Sequence, residues 1–260
     1  MIGTVNVLEC IRYSKSVKAA VIITSDKCYQ NVEWVWGYRE DDKLGGDDPY
    51  SASKACAEIA CHSYVKSFFS KDDSPRISTA RAGNVIGGGD WAVDRVVPDC
   101  MRAFFSNKLL ELRNPRATRP WQHVLEPLSG YLWLGVNLLQ GNERVMDTSF
   151  NFGPLSDFHR TVEDLVAGFS KILKKGEWFI SEKDNKEKKE STILSVNCEK
   201  ALTCLDWHAV LSFEETIRMT AEWYDDFYSG KDSDMYDATI KQIEEYEDFA
   251  QKRGLVWAEH

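Results

Sequence analysis

Two short apolar runs constrain this chain most. Ala19-Ala20-Val21-Ile22-Ile23 and Ile77-Ser78-Thr79-Ala80-Arg81-Ala82 both read as strands, and each ends in a polar tip, Thr24-Ser25-Asp26-Lys27 and Gly83-Asn84. Between them Asp48-Pro49 opens a helical pattern predicted to reach about Phe69, with Ala55, Ile59, Ala60 and Tyr64 at apolar positions. Asp is a good helix N-cap, and Pro suits the first helical position. Strand, tip, helix, strand, tip is a βαβ pattern, and the first strand is apolar throughout, as a strand buried on both faces is. Sites in open α/β sheets gather at the carboxyl ends of the strands. The two polar tips are therefore where chemistry is expected.

The opening of the helix supplies further candidates. In Asp48-Pro49-Tyr50-Ser51-Ala52-Ser53-Lys54, Tyr50 and Lys54 lie four apart. Four residues is about one helical turn, so phenol and ammonium share a face. A cation beside a phenol favours the phenolate, which makes a base for a sugar hydroxyl near neutral pH. Taken alone, the same spacing also describes a surface Tyr and a solvated Lys. Asp26-Lys27 alone is likewise compatible with an exposed ion pair at a strand end.

The bounds are those of an ordinary globular protein. The 260 residues are 43% hydrophobic and 28% charged, with a net charge of −9. That sign argues against nucleic acid as a partner, and an anionic substrate would need local positive charge. No apolar run reaches the length of a membrane span, and the start lacks the pattern of a signal peptide. Seven cysteines, an odd number, form no Cys-x-x-Cys pair, and the histidines show no metal-ligand spacing. They read as reduced thiols in a cytoplasmic protein without a metal site.

Other elements follow in order. Residues 2–14 read as a helix, 31–48 as an acidic, aromatic-dotted loop, 96–105 as a helix and 109–113 as a short strand. Residues 121–125 lead into an apolar helix through Leu139, and Val145 to Phe152 reads as a strand. Thr161-Val162-Glu163-Asp164 and Ser212-Phe213-Glu214-Glu215 carry helix-capping signals. Glu182 to Glu190 reads as a charged loop, and Gln242 to Phe249 as a last helix.

Read together, the motifs are specific. Thr24-Ser25-Asp26-Lys27-Cys28-Tyr29, Trp36-Gly37-Tyr38-Arg39-Glu40-Asp41, Tyr50 through Lys54, Arg81-Ala82-Gly83-Asn84-Val85-Ile86-Gly87-Gly88-Gly89-Asp90-Trp91 and Thr118-Arg119-Pro120-Trp121-Gln122-His123-Val124 resemble the nucleotide-sugar 4,6-dehydratase group of the extended short-chain dehydrogenase/reductases. The resemblance spans about residues 1–230 and is greatest to the CDP-glucose branch, where Lys stands at the position of Lys27. It implies an α/β fold: part of a Rossmann-type, doubly wound parallel sheet over 1–95, a smaller mixed α/β substrate domain over 96–230, and a charged helical tail over 231–260. It also implies a lyase that uses NAD to oxidise a nucleotide sugar such as CDP-glucose at C4, eliminate water and return the hydride. By resemblance Tyr50 removes the 4-hydroxyl proton, Lys54 assists it and contacts the nicotinamide ribose, and Ser25 hydrogen-bonds the 4-oxygen. Asp26 protonates the leaving 6-hydroxyl and Lys27 is the C5 base. Thr24 and Ala82 join Tyr50 and Lys54 around NAD. Asn84 and Arg119 hold the substrate phosphates; Arg113 and Arg116, near Arg119 in sequence, could add charge there, and each taken alone also reads as a solvated surface side chain. Residues 2–14 and the helix from Pro49 pair in a homodimer.

One expected feature is missing. In the resembled family a glycine-rich turn that grips the cofactor pyrophosphate precedes the first helix, and no such turn occurs in these residues. The expectation is a chain lacking the N-terminal strands that by itself binds NAD weakly or not at all, is inactive, and aggregates readily through an exposed sheet edge. Two other readings stand beside the lyase: an NAD-dependent nucleotide-sugar 4-epimerase, which needs Tyr50 and Lys54 but not Asp26 and Lys27, and a non-catalytic binding module.

Overall fold

The structure is a computed structural model that describes residues 1–71, 73–154, 159–181, 194–230 and 234–259. The charged segment 182–190 lies outside the described residues. The expected βαβ unit is present: β1 (Ala19–Ile23), α2 (Pro49–Phe68) and β2 (Arg76–Arg81), preceded by α1 (Ile2–Tyr13). β1 and β2 pair in parallel, Ala19 opposite Arg76 and Ile23 opposite Ala80. β2 pairs in parallel with β7 (Ser149–Asn151), giving the order β1-β2-β7.

Strand geometry sorts the side chains. Successive residues point to opposite faces. Ala20, Ile22 and Ile77 meet Leu8 and Ile11 of α1 and Cys61 and Val65 of α2. Ala19, Val21 and Ala80 meet Leu134 and Leu138 of α4 (Leu125–Gln140), with Phe150 and Trp207 completing that core. Both faces of the sheet are thus covered, as the apolar runs require.

Among the described residues, six further strands pair in three two-stranded sheets. β3 (Val85–Ile86) pairs in parallel with β6 (Gln122–His123). β4 (Leu110–Leu112) pairs in parallel with β9 (Trp178–Ile180). β5 (Thr118–Pro120) pairs antiparallel with β8 (His159–Thr161). α3 (Val96–Phe105), α5 (Val162–Leu173) and α7 (Phe213–Ser229) enclose a separate core of Met101, Phe104, Leu165, Phe169, Ile217 and Tyr224. Both capping boxes form, Thr161 with Asp164 and Ser212 with Glu215. α6 (Glu199–Leu205) joins the sheet-side core.

Two boundaries differ from expectation. The strand expected at Val145–Phe152 is only Ser149–Asn151, and Glu143–Val145 forms a 3-10 turn. Asp147 sits at φ 55, in the left-handed region, so extended backbone begins only after it. The last helix is longer than its apolar pattern, α8 (Met235–Lys252), because Asp234 caps it by accepting from Tyr236 N. Its Tyr246 and Ala250 pack against Val210, Leu211 and Met219.

Candidate active site

The site is assembled at the tips of β1 and β2. The ladder continues past Ile23: Thr24 N donates to Ala80 O at 2.8 Å and Asp26 N to Ala82 O at 3.2 Å. This drives Asp26 inward, where it is 4% exposed. Asp26–Cys28 then makes one 3-10 turn capped by Ser25, whose hydroxyl accepts from Lys27 N at 3.1 Å and donates to Asp26 Oδ1 at 3.0 Å. Gly83 at the tip of β2 packs on the Asp26 carboxylate so closely that a Cβ there would overlap it.

Burial pushes the Asp26 carboxyl above its ordinary range, against the Ser25 hydroxyl and the charges of Lys27 and Arg119, which pull it down. A carboxyl that holds its proton more readily suits a general acid. The exposed-pair reading of Asp26 does not hold, because the carboxylate is buried. The charge of Arg119 reaching Asp26 also brings β5 into the site, although Arg119 is distant in sequence. Its Nη1 donates to Thr118 O at 2.8 Å.

On the facing side, Asp48 caps α2 by accepting from Ser51 N at 3.0 Å. Lys54 Nζ stands 5.8 Å from the ring centroid of Tyr50, so the predicted pair does share a face. Tyr50 is 55% exposed and open to a ligand. Lys27 lies between the two halves, for its charge reaches the Asp48 carboxyl, which is held low chiefly by the Ser51 hydroxyl. The remaining candidates lie around this centre. Asn84 sits at φ 52 directly after Gly83, with its carbonyl accepting from Gln122 N at 3.3 Å. Ala82 is half-buried behind Asp26. Arg113 is exposed and 4.0 Å from Asp94. Arg116 is exposed. The hydroxyl of Thr24 donates to Glu58.

Sequence reasoning missed a polar network beneath the site. Glu58 Oε2 accepts from Arg81 Nη2 at 2.8 Å and from Thr79 Oγ1 at 2.7 Å. Arg81 Nη1 donates to Tyr29 Oη at 2.7 Å and to Glu40 O at 2.9 Å. A usable signal was the lone carboxylate among small residues in the middle of the helix, beside Ala55, Ala57, Ala60 and Cys61. Glu126 was missed too. It is buried at the start of α4 and accepts from Val210 N, Leu211 N and Tyr246 Oη, and burial pushes it up to about 7 despite those donors. His123 is a core residue, pushed down to about 4 by burial. Among the described residues no group of His, Cys, Asp and Glu could hold a metal ion, and no helix is long and apolar enough to cross a membrane.

Residues 1–220 match the family described as GDP-mannose 4,6 dehydratase. The chain is also 40% identical over 251 residues to the CDP-glucose 4,6-dehydratase of Salmonella typhimurium, covering 95% of this chain and 68% of that one. This chain belongs to the 4,6-dehydratase family. Solved structures agree on the fold. A dTDP-glucose 4,6-dehydratase from Bacillus anthracis in complex with NAD superposes with a TM-score of 0.68 at 23% identity, over 86% of this chain and 67% of that one. A UDP-glucuronic acid 4-epimerase from Bacillus cereus in complex with UDP-glucuronic acid and NAD gives 0.73 at 18% identity, over 87% and 67%. The family is one of nucleotide-sugar hydro-lyases, and the Rossmann-type α/β architecture expected from the motifs is the one observed.

Proposed function

We propose that this chain is a CDP-glucose 4,6-dehydratase, converting CDP-glucose to CDP-4-keto-6-deoxyglucose. The observation that carries this reading is Asp26, buried at the tip of β1 with its carboxyl raised above the ordinary range and followed by Lys27, in a turn that contacts the helix bearing Tyr50 and Lys54. The 40% identity to a CDP-glucose enzyme supports the choice of sugar nucleotide.

An exposed phenol with an ammonium beside it, at the open carboxyl edge of the sheet, fits the nicotinamide-ribose end of NAD. Thr24 and Ala82 are proposed to line the same edge. Bound there, NAD would supply the hydride acceptor and give the hydride back, so the cycle would need no outside oxidant. The chain's residues handle the protons and the orientation. Tyr50 takes the proton of the 4-hydroxyl, and the Lys54 charge stabilises the phenolate that accepts it. Ser25 turns its hydroxyl proton from Asp26 to the 4-oxygen when the sugar binds. The 4-ketone makes the C5 proton acidic, and Lys27 takes it. The electrons of the C5–H bond form the C5–C6 double bond as the C6–O bond breaks, and Asp26 gives its proton to the departing oxygen, which leaves as water. Once the hydride is back at C6, Lys27 returns its proton to C5, which completes the 6-deoxy sugar. Asn84 and the guanidinium forks of Arg119 and Arg113 hold the phosphates.

The fold also serves 4-epimerases, and an epimerase would use Tyr50 and Lys54. It would have no use for an acid at Asp26. Incubating the protein with NAD and either CDP-glucose, dTDP-glucose or GDP-mannose, then weighing the products, decides the matter. The expected result is a product lighter by one water from CDP-glucose. An isomer of unchanged mass would make it an epimerase. The division into a cofactor part over 1–95, a substrate part over 96–230 and a helical tail belongs to the same proposal, as does a cytoplasmic location. So does a homodimer through α1 and α2, supported by exposed Ile2, Val7, Ile59 and Phe68. Sedimentation showing a monomer at micromolar concentration would contradict that last part.

A further inference from the structure

We infer that Glu58 is a positioning residue that sets the place of Tyr50 and Lys54 against the strand tips. The inference rests on the roles proposed above for those two residues. Glu58 follows Lys54 by one helical turn and Tyr50 by two, so about 6 Å and about 12 Å of rigid helix separate them. Its side chain and that of Arg81 are each 3% exposed.

The carboxylate gathers every strand of the sheet. It accepts from Thr24 at the tip of β1, from Thr79 and Arg81 on β2, and from Ser149 on β7 at 3.2 Å. Arg81 carries the connection onward to Tyr29 and Glu40, in the segment that follows the Asp26 turn. Helix α2 and the turn bearing Ser25 and Asp26 therefore share one anchor. Arg81 holds the Glu58 carboxyl below its ordinary range in spite of burial, so it is an anion there.

Packing alone leaves the first half of α2 poorly fixed. Its buried residues between Lys54 and Cys61 are Ala55, Ala57 and Glu58, followed by Cys61 itself. Small side chains make few interlocking contacts and resist rotation or sliding weakly. Directional bonds to one carboxylate define both. A buried ion pair adds little net stability compared with apolar residues of similar size, so its retention here is explained by position. A misplacement of about 1 Å at a reacting group can cost about a hundredfold in rate.

The test compares Glu58→Gln, Thr79→Val and the double substitution Glu58→Met with Arg81→Met in the full chain. Three quantities are read besides melting temperature: the 13C ring resonances of Tyr50, assigned with Tyr50→Phe, and kcat and KM for CDP-glucose. A positioning role predicts that the double variant, free of an unpaired buried charge, melts near the unmutated chain yet has displaced Tyr50 resonances. It also predicts kcat lowered about tenfold to a hundredfold with KM little changed. Thr79→Val should show the same in smaller measure, and it decides the question if Glu58→Gln does not fold. Unmoved Tyr50 resonances in folded variants would overturn the inference. If CDP-glucose is not turned over by the unmutated chain, the functional reading fails while the resonances still test this one.

Discussion

Gly83 lies against the carboxylate of Asp26 with no room for a side chain between them. A methyl group at that point must move either the tip of β2 or the acid itself. Gly83→Ala is expected to cost about 1–3 kcal/mol of stability through overpacking and to lower turnover at least tenfold. Thermal melts and steady-state rates check both. A variant that melts and turns over like the parent would mean that the carboxylate moves aside freely.

Tyr50→Phe removes the proton acceptor and little else, since the ring is exposed and its neighbour Lys54 is 5.8 Å from the ring centroid. The expected result is a loss in kcat of about a hundredfold to ten-thousandfold with nucleotide-sugar affinity nearly intact. Loss of binding with normal turnover of the bound fraction would count against the assignment.

Asp26→Asn separates the two halves of the proposed reaction. Only a protonatable group helps the 6-hydroxyl leave, so C4 oxidation should outrun water loss and reduced cofactor should accumulate, visible by its near-ultraviolet absorbance. Equal slowing of both halves would sink the role. The same variant has a stability signature. The folded pKa of Asp26 is raised, so its contribution is complete below the ordinary carboxylate range and fades as pH rises through the raised value. Asp26→Asn should therefore gain on the parent at neutral pH and lose that gain in acid.

Glu126 offers a second pH test, away from the site. Its folded pKa is about 7 against an ordinary 4.5. Stability from this group is present below about pH 4.5 and lost as pH rises through about 7, on the order of 3 kcal/mol in all. Denaturant unfolding at pH 5 and pH 8 should show the parent losing more than Glu126→Gln over that interval. Parallel losses in the two proteins would show that the three donors already stabilise the charged carboxylate.

The features legible in the order of residues were local or periodic. The apolar runs placed β1 and β2, Asp48-Pro49 placed the start of α2, and the spacing of Tyr50 and Lys54 put them on one helical face, because each depends on residues within a turn or two of one another. The capping boxes at Thr161 and Ser212 were legible for the same reason. The burial of Asp26 came only with folding, because the pairing of its backbone with Ala82 sets its carboxylate against Gly83. Tertiary structure alone revealed Glu58 as the meeting point of three strands, since donors from Thr24, Thr79, Arg81 and Ser149 converge only once β1, β2 and β7 lie side by side. The early end of the strand expected at Val145 turned on the left-handed backbone of Asp147, and an apolar pattern carries no information about one residue's φ. Periodicity reports which face of an element is buried; what it is buried against is fixed by the partners that the fold supplies.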